Sequence, residues 1–291
     1  MEKNKTNDGM LYLVATPIGN MADISERAKK VLREVNFVAA EDTRNSGKLL
    51  ACLDIKQDFI SYHEHNKHAR GEQIIARLLN GESCALITDA GMPAISDPGA
   101  DLVALCAVHG VPVTVVPGCC AAVTALALSA LSTNRFAFEG FLPVENKPRK
   151  ERLQELAAER RTMILYEAPH RLQDTLKDLY TILGDRKISI CRELTKINEE
   201  VVRTTLADAI AYYNEAKPRG EYVLILEGGE SAGVPLVAHA PSPTEGLSPA
   251  EKVAYYCREY NMSRMDAIKA TAKEMGMPKS ELYRILNHND I

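Results

Sequence analysis

The sequence predicts an α/β protein built from two successive α/β domains and a small helical domain at the C-terminus. Two observations predict this. Apolar, strand-like runs alternate with runs of helical period across residues 11–228, and residues 247–291 contain helical runs alone. A chain of 291 residues has room for two domains and a small third one.

The first α/β domain is predicted over residues 11–118. Its strand-like and helical runs alternate in the order "LYLVAT", "ISERAKKVLREV", "NFVAAED", "GEQIIARLLN", "SCALITD", "GADLVALCAVHG" and "VPVTVVPG". A helix between two strands is typical of βαβ units, so we expect a mostly parallel sheet covered by helices.

The second α/β domain is predicted over residues 119–228. The alternation continues with "RFAFEG", "RKERLQELAAERR", "TMILYE", "RLQDTLKDLYTILG", "KISICREL", "VVRTTLADAIAYYN" and "GEYVLILEGG". Residues 229–246 are rich in Gly, Pro and Ser and have little periodicity, which predicts a linker.

The C-terminal domain is predicted over residues 247–291, with helices starting at Ser248, Ser263 and Ser280. The first two serines are each followed three positions later by an acidic residue, as in a capping box. The turn that contains Gly276 resembles that of a helix-turn-helix.

The composition excludes several classes of protein. Hydrophobic residues make up 46% and charged residues 25%, which is typical of globular domains, and the net charge of −4 is not that of a broadly basic nucleic-acid-binding surface. The longest apolar run, residues 119–131, is shorter than the roughly 20 residues of a membrane-spanning helix. Seven cysteines without a CxxC spacing, and no secretory apolar segment, indicate a reducing cytoplasm.

Three loops that combine Gly with Pro follow predicted strands of the first domain: "ATPIGN", "TDAGMPAISDPG" and "VPGCCAA". Ligands of open α/β sheets bind outside the carboxyl ends of the strands, and Gly and Pro fix loop shape and permit close approach of backbone. The loops therefore predict a site for a small, partly polar ligand. None is a P-loop or a GxGxxG motif, so a phosphate cradle is not specified.

A string of motifs in this order also carries a family resemblance: "LYLVATPIGN", "EDTR", "LITDAGMPAISDPG", "VTVVPGCCAAVTALALSAL", "FEGFLP", "YEAPHR", "RELTK" and "GEYVLILEG". The chain resembles the tetrapyrrole-methylase superfamily of S-adenosylmethionine-dependent enzymes. Within it, the chain is most similar to the ribosomal RNA small subunit methyltransferase I family. The resemblance extends over nearly the whole chain.

The resemblance implies a homodimeric methyltransferase with S-adenosylmethionine in the cleft between its two α/β domains. It also implies methylation of a cytidine ribose 2′-hydroxyl in the decoding region of small-subunit (16S) rRNA, presented within a ribosomal particle. Cofactor contacts are expected from Pro17, Ile18, Gly19, Asp89, Gly91, Met92, Cys119, Cys120, Tyr166 and Glu167.

Methyl transfer to a hydroxyl depends mainly on positioning, helped by a base or by a cation that stabilises the developing alkoxide. The candidate groups are Glu41, Asp42, Thr43, Arg44, Glu139, Arg171, Glu193 and Lys196. Among them we expect Asp42 and Glu139 to be acid/base groups and Arg44 and Lys196 to be cationic stabilisers. The alternative for each is a structural ion pair or a helix cap.

RNA contacts are expected at the basic stretch between residues 147 and 161 and at the "PHR" motif. Interleaved glutamates leave a plain amphipathic helix as the alternative for the basic stretch. The expected RNA-binding residues are Lys147, Arg149, Lys150, Arg152 and Arg171.

Three other functions remain open from the sequence. A tetrapyrrole or diphthamide-pathway methylase would use the same cofactor loops, and a non-enzymatic regulator would sense a small molecule and bind DNA through the C-terminal helices. A metal hydrolase would need His63, His65 and His68 as ligands. Their HxHxxH spacing lacks the i, i+4 pair of a helical zinc site, so no metal is expected.

Overall fold

A computed structural model describes residues 6, 8–229, 247–259, 262–275 and 277–288. The chain divides after Gly229 into two compact units, of which the first contains two β-sheets and the second contains helices. The predicted linker after Gly229 lies outside the described residues. Across these described ranges, every helix is too short or too polar to cross a membrane.

The first sheet has five parallel strands in the order β3-β2-β4-β1-β5. Its strands are β1 (Leu11–Val14), β2 (Phe37–Ala40), β3 (Phe59–Ser61), β4 (Cys84–Ile87) and β5 (Val113–Val116). Strands β2 and β4 are buried along their whole length, as expected for inner strands covered on both faces. The expected parallel sheet is therefore confirmed.

Helices cover both faces of the first sheet. They are α1 (Glu26–Glu34), α2 (Thr43–Cys52), α3 (Lys67–Leu79) and α4 (Gly99–Val108). Helices α1 and α2 contribute to one apolar cluster, and α3 and α4 contribute to the cluster on the opposite face. The chain leaves neighbouring strands β1 and β4 toward opposite faces, so a crevice opens between their carboxyl ends.

The second sheet is mixed and has the order β6-β7-β10-β8-β9. Its strands are β6 (Phe136–Phe141), β7 (Thr162–Glu167), β8 (Lys187–Arg192), β9 (Glu200–Thr205) and β10 (Tyr222–Leu226). Only β6 and β7 pair in parallel, because β10 inserts antiparallel between β7 and β8, and β9 follows β8 without an intervening helix.

Four helices accompany the second sheet: α5 (Ala121–Leu128), α6 (Asn146–Ala157), α7 (Leu172–Leu183) and α8 (Leu206–Glu215). Helices α6, α7 and α8 pack on one face. The other face packs on α5, where Ala125 and Leu126 meet Ile164 and Ile225. Since α5 directly follows β5, this packing fixes the second sheet next to the loops of the first.

The second unit consists of α9 (Pro249–Glu259), α10 (Arg264–Glu274) and α11 (Lys279–His288). Ser248 and Glu251 form a reciprocal capping box at the start of α9, and the hydroxyl of Ser263 accepts a hydrogen bond from the N–H of Asp266 at 3.2 Å. Helix α11 begins at Lys279, so Ser280 lies inside the helix, and the prediction that it starts this helix was wrong. Gly276 lies outside the described residues.

Candidate functional site

A cavity of about 380 Å³ lies at the carboxyl edge of the first sheet, and residues of both sheets line it. Its volume falls within the range of small-molecule sites, roughly 300–1,000 Å³. Both domains contribute carboxylates, such as Asp89 and Glu221, and both contribute apolar groups, such as Ile18 and Leu194. The cavity therefore combines acidic groups with apolar surface.

The two loops beside the crevice are joined by backbone hydrogen bonds. The N–H of Thr16 donates to the carbonyl of Gly91 at 3.0 Å, and the N–H of Gly91 donates back at 3.2 Å. The Thr16 hydroxyl also donates to the carbonyl of Thr88 at 3.2 Å. Gly91 has a φ of +86°, a conformation that favours glycine. These contacts hold the two loops together as one rigid side of the cavity.

Asp97 holds the loop between β4 and α4 in shape. Its carboxylate accepts hydrogen bonds from the backbone N–H groups of Ala94 at 3.0 Å, Ile95 at 3.0 Å and Gly99 at 2.7 Å. Within this loop Ala94 and Ser96 adopt φ angles of +66° and +65°, which are unfavourable for residues with a Cβ. The Asp97 hydrogen bonds therefore stabilise a strained cavity wall.

The loop after β1 packs closely against the "RELTK" loop of the second domain. A Cβ placed on Gly19 would lie 2.4 Å from Cγ of Lys196 and 2.9 Å from the carbonyl oxygen of Leu194. The N–H of Asn20 donates to the hydroxyl of Thr195 at 3.1 Å. The absence of a side chain at Gly19 is what permits this contact, which closes one end of the cavity.

Tyr166, at the end of β7, connects the cavity to α5. Its hydroxyl accepts a hydrogen bond from the N–H of Ala122 at 3.2 Å, in the first turn of α5. Its ring lies edge-on to Phe138 at 5.2 Å and near Phe141 at 5.5 Å, measured between centroids. Burial raises the pKa of Tyr166 to about 12, so its hydroxyl stays protonated.

Glu167 lines the cavity next to Tyr166, but other groups of the second domain hold its carboxylate. It accepts hydrogen bonds from the Thr175 hydroxyl at 2.5 Å and from the N–H of Ala168 at 2.8 Å. The Arg171 guanidinium lies 3.7 Å away. These bonds fix the "YEAPHR" loop against α7.

The structure brings most of the expected cofactor-contact residues together in the cavity. Those that line it are Ile18, Asp89, Gly91, Met92, Cys120, Tyr166 and Glu167. Pro17, Gly19 and Cys119 lie next to it in the same loops, and Sγ of Cys119 faces the carbonyl of Asp23 at 3.7 Å.

Asp42 and Arg44, two of the expected catalytic residues, form a local structural pair. Asp42 is the N-cap of α2 and accepts from the N–H of Arg44 at 2.8 Å, while the guanidinium of Arg44 contacts the same carboxylate at 3.1 Å. Hydrogen bonding from the Arg44 side chain lowers the pKa of Asp42. This geometry favours the helix-cap alternative.

Glu139 and Lys196, the other two expected catalytic residues, are also paired. The buried Glu139 accepts from the Arg152 guanidinium at 2.5 Å. Nζ of Lys196 donates to Glu193 at 2.9 Å and to Glu221 at 3.0 Å. Neither Glu139 nor Lys196 lines the cavity, so the ion-pair alternative is favoured for both.

Among the expected RNA-binding residues, the arginines are bound to other groups of the second domain, and the lysines are exposed. Arg149 donates to Asp178 at 2.8 Å, and Arg171 donates to a backbone carbonyl at 2.8 Å. Arg152, like these two, is held in contacts within the second domain. Lys147 and Lys150 are exposed on α6. Phosphate contacts at this helix are therefore best sought at the two lysines.

The sequence did not predict the residues that the antiparallel strand β10 contributes to the cavity. Because β10 runs against β7, its first residue Tyr222 pairs with Glu167, and Glu221 and Val223 join the cavity wall. No periodicity signals such an insertion. Glu41 was among the candidate groups but was not expected to be the acid/base residue, although it directly follows β2 at the ligand-binding edge of a parallel sheet.

The histidine cluster takes part in local structure. Nε2 of His63 lies 3.1 Å from the side-chain amide of Asn66, which also donates to the carbonyl of Ser61 at 3.1 Å. In the part of the chain that the structure describes, no group of three or more His, Cys, Asp or Glu side chains could hold a metal ion.

The fold and the cavity agree with one class of protein. Residues 10–210 match a family model described as tetrapyrrole (corrin/porphyrin) methylases. The solved structure of uroporphyrin-III C-methyltransferase from Thermus thermophilus shares the fold, with a TM-score of 0.55 and 21% identity over 75% of this chain and 94% of that one.

Curated relatives match almost the whole chain. A protein of Halalkalibacterium halodurans named ribosomal RNA small subunit methyltransferase I is 46% identical over 97% of this chain and 96% of its own length. A protein of the same name from Synechocystis is 45% identical over 95% and 97%, respectively. The chain therefore belongs to the tetrapyrrole methylases and, within them, to the ribosomal RNA small subunit methyltransferase I family.

Proposed function

We propose that this protein transfers a methyl group from S-adenosylmethionine to the ribose 2′-hydroxyl of a cytidine in the decoding region of small-subunit rRNA. The proposal rests on the cavity between the two sheets, which is lined by both carboxylates and apolar groups. A cofactor that has a sulfonium cation and an apolar adenine matches this lining.

The residues of the cavity fit this cofactor. Ile18, Leu194 and Val223 offer apolar surface to the adenine and to the methylene groups of the methionine chain. Asp89 and Glu221 supply negative charge for the ammonium and the sulfonium, and their carboxylates can also accept hydrogen bonds from ribose hydroxyls. The cofactor supplies the activated methyl group.

The residues of the chain itself position the two reactants and exclude water from the cavity. The hydrogen bonds between the Thr16 and Gly91 loops and the Asp97 network fix the cavity before any ligand binds, which lowers the entropic cost of aligning the two reactants. The contact of Gly19 with the "RELTK" loop shields the cavity from water at that end.

The choice of RNA as substrate is supported by the names of the near-full-length relatives, which are ribosomal RNA methyltransferases. Lys147 and Lys150 provide exposed positive charge for phosphates. The acceptor hydroxyl, the cytidine and a ribosomal particle as the substrate follow from the family resemblance. Such a substrate places the protein in the cytoplasm.

We also propose that two copies of the chain associate through β5 and α5. Val115, Val123 and Leu128 are apolar and 44%, 54% and 37% exposed, respectively. Exposed apolar residues on consecutive elements are typical of a subunit interface. A Val123→Glu variant should convert the dimer to a monomer in light-scattering chromatography. A wild-type monomer would contradict this assembly.

The reaction is tested with small ribosomal subunits that lack the modification and with isotope-labelled S-adenosylmethionine. Mass spectrometry of the digested rRNA should show one labelled 2′-O-methylcytidine. A porphyrinoid acceptor assayed in parallel tests the rival methylase. Labelling of the porphyrinoid alone would refute the proposed substrate.

A further inference from the structure

Some carboxylates of the cavity are bound by other groups of the protein, and one has no partner among the described residues. Five line it: Glu41, Asp89, Asp97, Glu167 and Glu221. Any proton acceptor for a bound hydroxyl must be sought among such groups, because the expected acid/base residues Asp42 and Glu139 do not line the cavity.

Four of the five carboxylates have structural partners. Asp89 accepts from the Asn45 amide at 3.0 Å, and Glu221 binds Lys196 at 3.0 Å. Asp97 and Glu167 hold the loops that follow β4 and β7, as described above. Each of these four carboxylates is therefore already bound to at least one other group of the protein.

Glu41 is the exception. Within the described ranges, its carboxylate forms no hydrogen bond or ion pair, and the residue is exposed to the cavity, so an entering hydroxyl can reach it. Glu41 directly follows β2, which neighbours β4 and the crevice between β4 and β1. The backbone of a buried strand therefore fixes its Cα.

The surroundings of Glu41 favour proton uptake. Partial burial of its carboxyl group in the cavity raises the pKa of Glu41 from its ordinary value, and the negative charges of Asp89 and Asp97, from the β4–α4 loop, raise it further. Asp42 adds a smaller effect in the same direction, whereas His63, which follows β3, opposes it. A base with a raised pKa accepts a proton more readily than an ordinary carboxylate.

We propose that Glu41 is the general base that accepts the proton of the acceptor hydroxyl, an inference that rests on the proposed methyl transfer. As the new O–CH₃ bond forms, the S–CH₃ bond of the cofactor breaks and its electron pair stays on sulfur. The hydroxyl proton moves to the Glu41 carboxylate and is later released to water. The products are the 2′-O-methyl ribose, S-adenosylhomocysteine and one proton.

The test compares the wild-type protein with Glu41→Gln, which keeps the shape of the side chain but cannot take the proton. We expect kcat to fall about 100-fold or more, with little change in the dissociation constant for S-adenosylmethionine measured by calorimetry. The rate of the wild-type protein should decline as pH falls through the raised pKa of Glu41, and this acidic limb should be missing from the residual activity of the variant.

A second readout needs no turnover. Carbon-13 NMR of the carboxyl groups in the ligand-free protein should show one glutamate that titrates above the ordinary range and whose signal is lost in Glu41→Gln. The matched control is Glu72→Gln, an exposed residue of α3 outside the cavity, which should retain the kcat and pH profile of the wild type.

The outcomes separate the two proposals. A Glu41→Gln variant with the wild-type kcat and acidic limb overturns the role of Glu41 alone. Failure of the wild-type protein to methylate small subunits overturns the proposed function, whatever the NMR titration shows. A large loss of kcat with intact cofactor binding and loss of the acidic limb supports both.

Discussion

The two sheets of the first unit use their polar residues differently. At the carboxyl edge of the parallel sheet, Glu41 has no partner among the described residues, and Asp89 accepts a hydrogen bond from the Asn45 amide. In the mixed sheet and its helices, charged groups are bound to each other, as in Glu139 with Arg152 and Arg149 with Asp178. The loops of the parallel sheet present carboxylates with few partners, such as Glu41, to the cavity, and the mixed sheet helps to enclose it.

The difference follows from topology. Strands of a parallel sheet end at one edge, so the loops that follow them converge and place several polar groups around one crevice. In the mixed sheet, β10 runs opposite to β7, and only the edge where Tyr222 meets Glu167 contributes to the cavity. Substitutions in the first region should therefore alter cofactor binding, and those in the second should mainly alter stability.

The largest effect is expected from Asp97→Ala in the parallel-sheet region. The substitution leaves the N–H groups of Ala94, Ile95 and Gly99 without their acceptor and releases a strained loop, at a cost of about 3 kcal/mol. Cofactor affinity should fall in parallel, because the loop forms the cavity wall. Urea unfolding and calorimetry measure the two effects.

The control for Asp97→Ala is Asp101→Ala on α4. Asp101 forms an exposed ion pair with Lys67 at 2.7 Å, which is worth at most about 1 kcal/mol. Equal losses in the two variants would show that Asp97 does not hold the loop.

A smaller effect is expected from Gly19→Ala, which probes where the two regions meet. The added Cβ would overlap Lys196 and the carbonyl of Leu194, so one loop must shift, at a cost of about 2 kcal/mol. Cofactor affinity should fall at least tenfold in calorimetry, since the cavity opens at that end.

Gly47→Ala is the matched control for Gly19→Ala. Gly47 lies within α2 with open space around its Cα, so a methyl group there should stabilise the helix by about 0.5–1 kcal/mol. Tight cofactor binding by Gly19→Ala would contradict the role assigned to the contact with the "RELTK" loop.

The sequence predicted the first region better than the second. Strand and helix alternation, together with Gly and Pro after β1 and β4, was enough to predict a parallel sheet and the loops around its crevice. The same alternation did not reveal that β10 inserts antiparallel beside β7. Strand order depends on contacts between residues far apart in the chain, and local periodicity contains no information about such contacts.

The candidate site shows the same limit. Motifs placed Asp89 and Tyr166 near a ligand, but they did not distinguish an unpaired carboxylate from a paired one. Glu139 and Arg152 are 13 residues apart, and only the tertiary fold brings β6 and α6 close enough for them to meet. The sequence predicted Asp42 to be an acid/base group, but in the structure it is the N-cap of α2. Its neighbour Glu41 lines the cavity instead.

Glu139→Gln tests the second region with a still smaller effect. Loss of the charge on a buried partner of Arg152 should cost about 1.5 kcal/mol in urea unfolding, while methyl transfer continues at close to the wild-type rate. Glu155→Gln removes the exposed partner of the same arginine and should cost less than about 0.5 kcal/mol. A loss of kcat without a loss of stability would return Glu139 to the catalytic role that the sequence suggested.

The smallest effect is expected from Tyr166→Phe, because the hydroxyl of this β7 residue makes one hydrogen bond to α5. The substitution removes only the hydrogen bond from the N–H of Ala122, because the ring contacts with Phe138 and Phe141 remain, and it should cost about 1 kcal/mol or less. Cofactor affinity should change by less than about fivefold if the hydroxyl serves only α5. A much larger loss of affinity, at unchanged stability, would show that the mixed sheet contributes a direct polar contact to the ligand. Strand β7 would then count among the elements that bind the ligand directly, together with the loops of the parallel sheet.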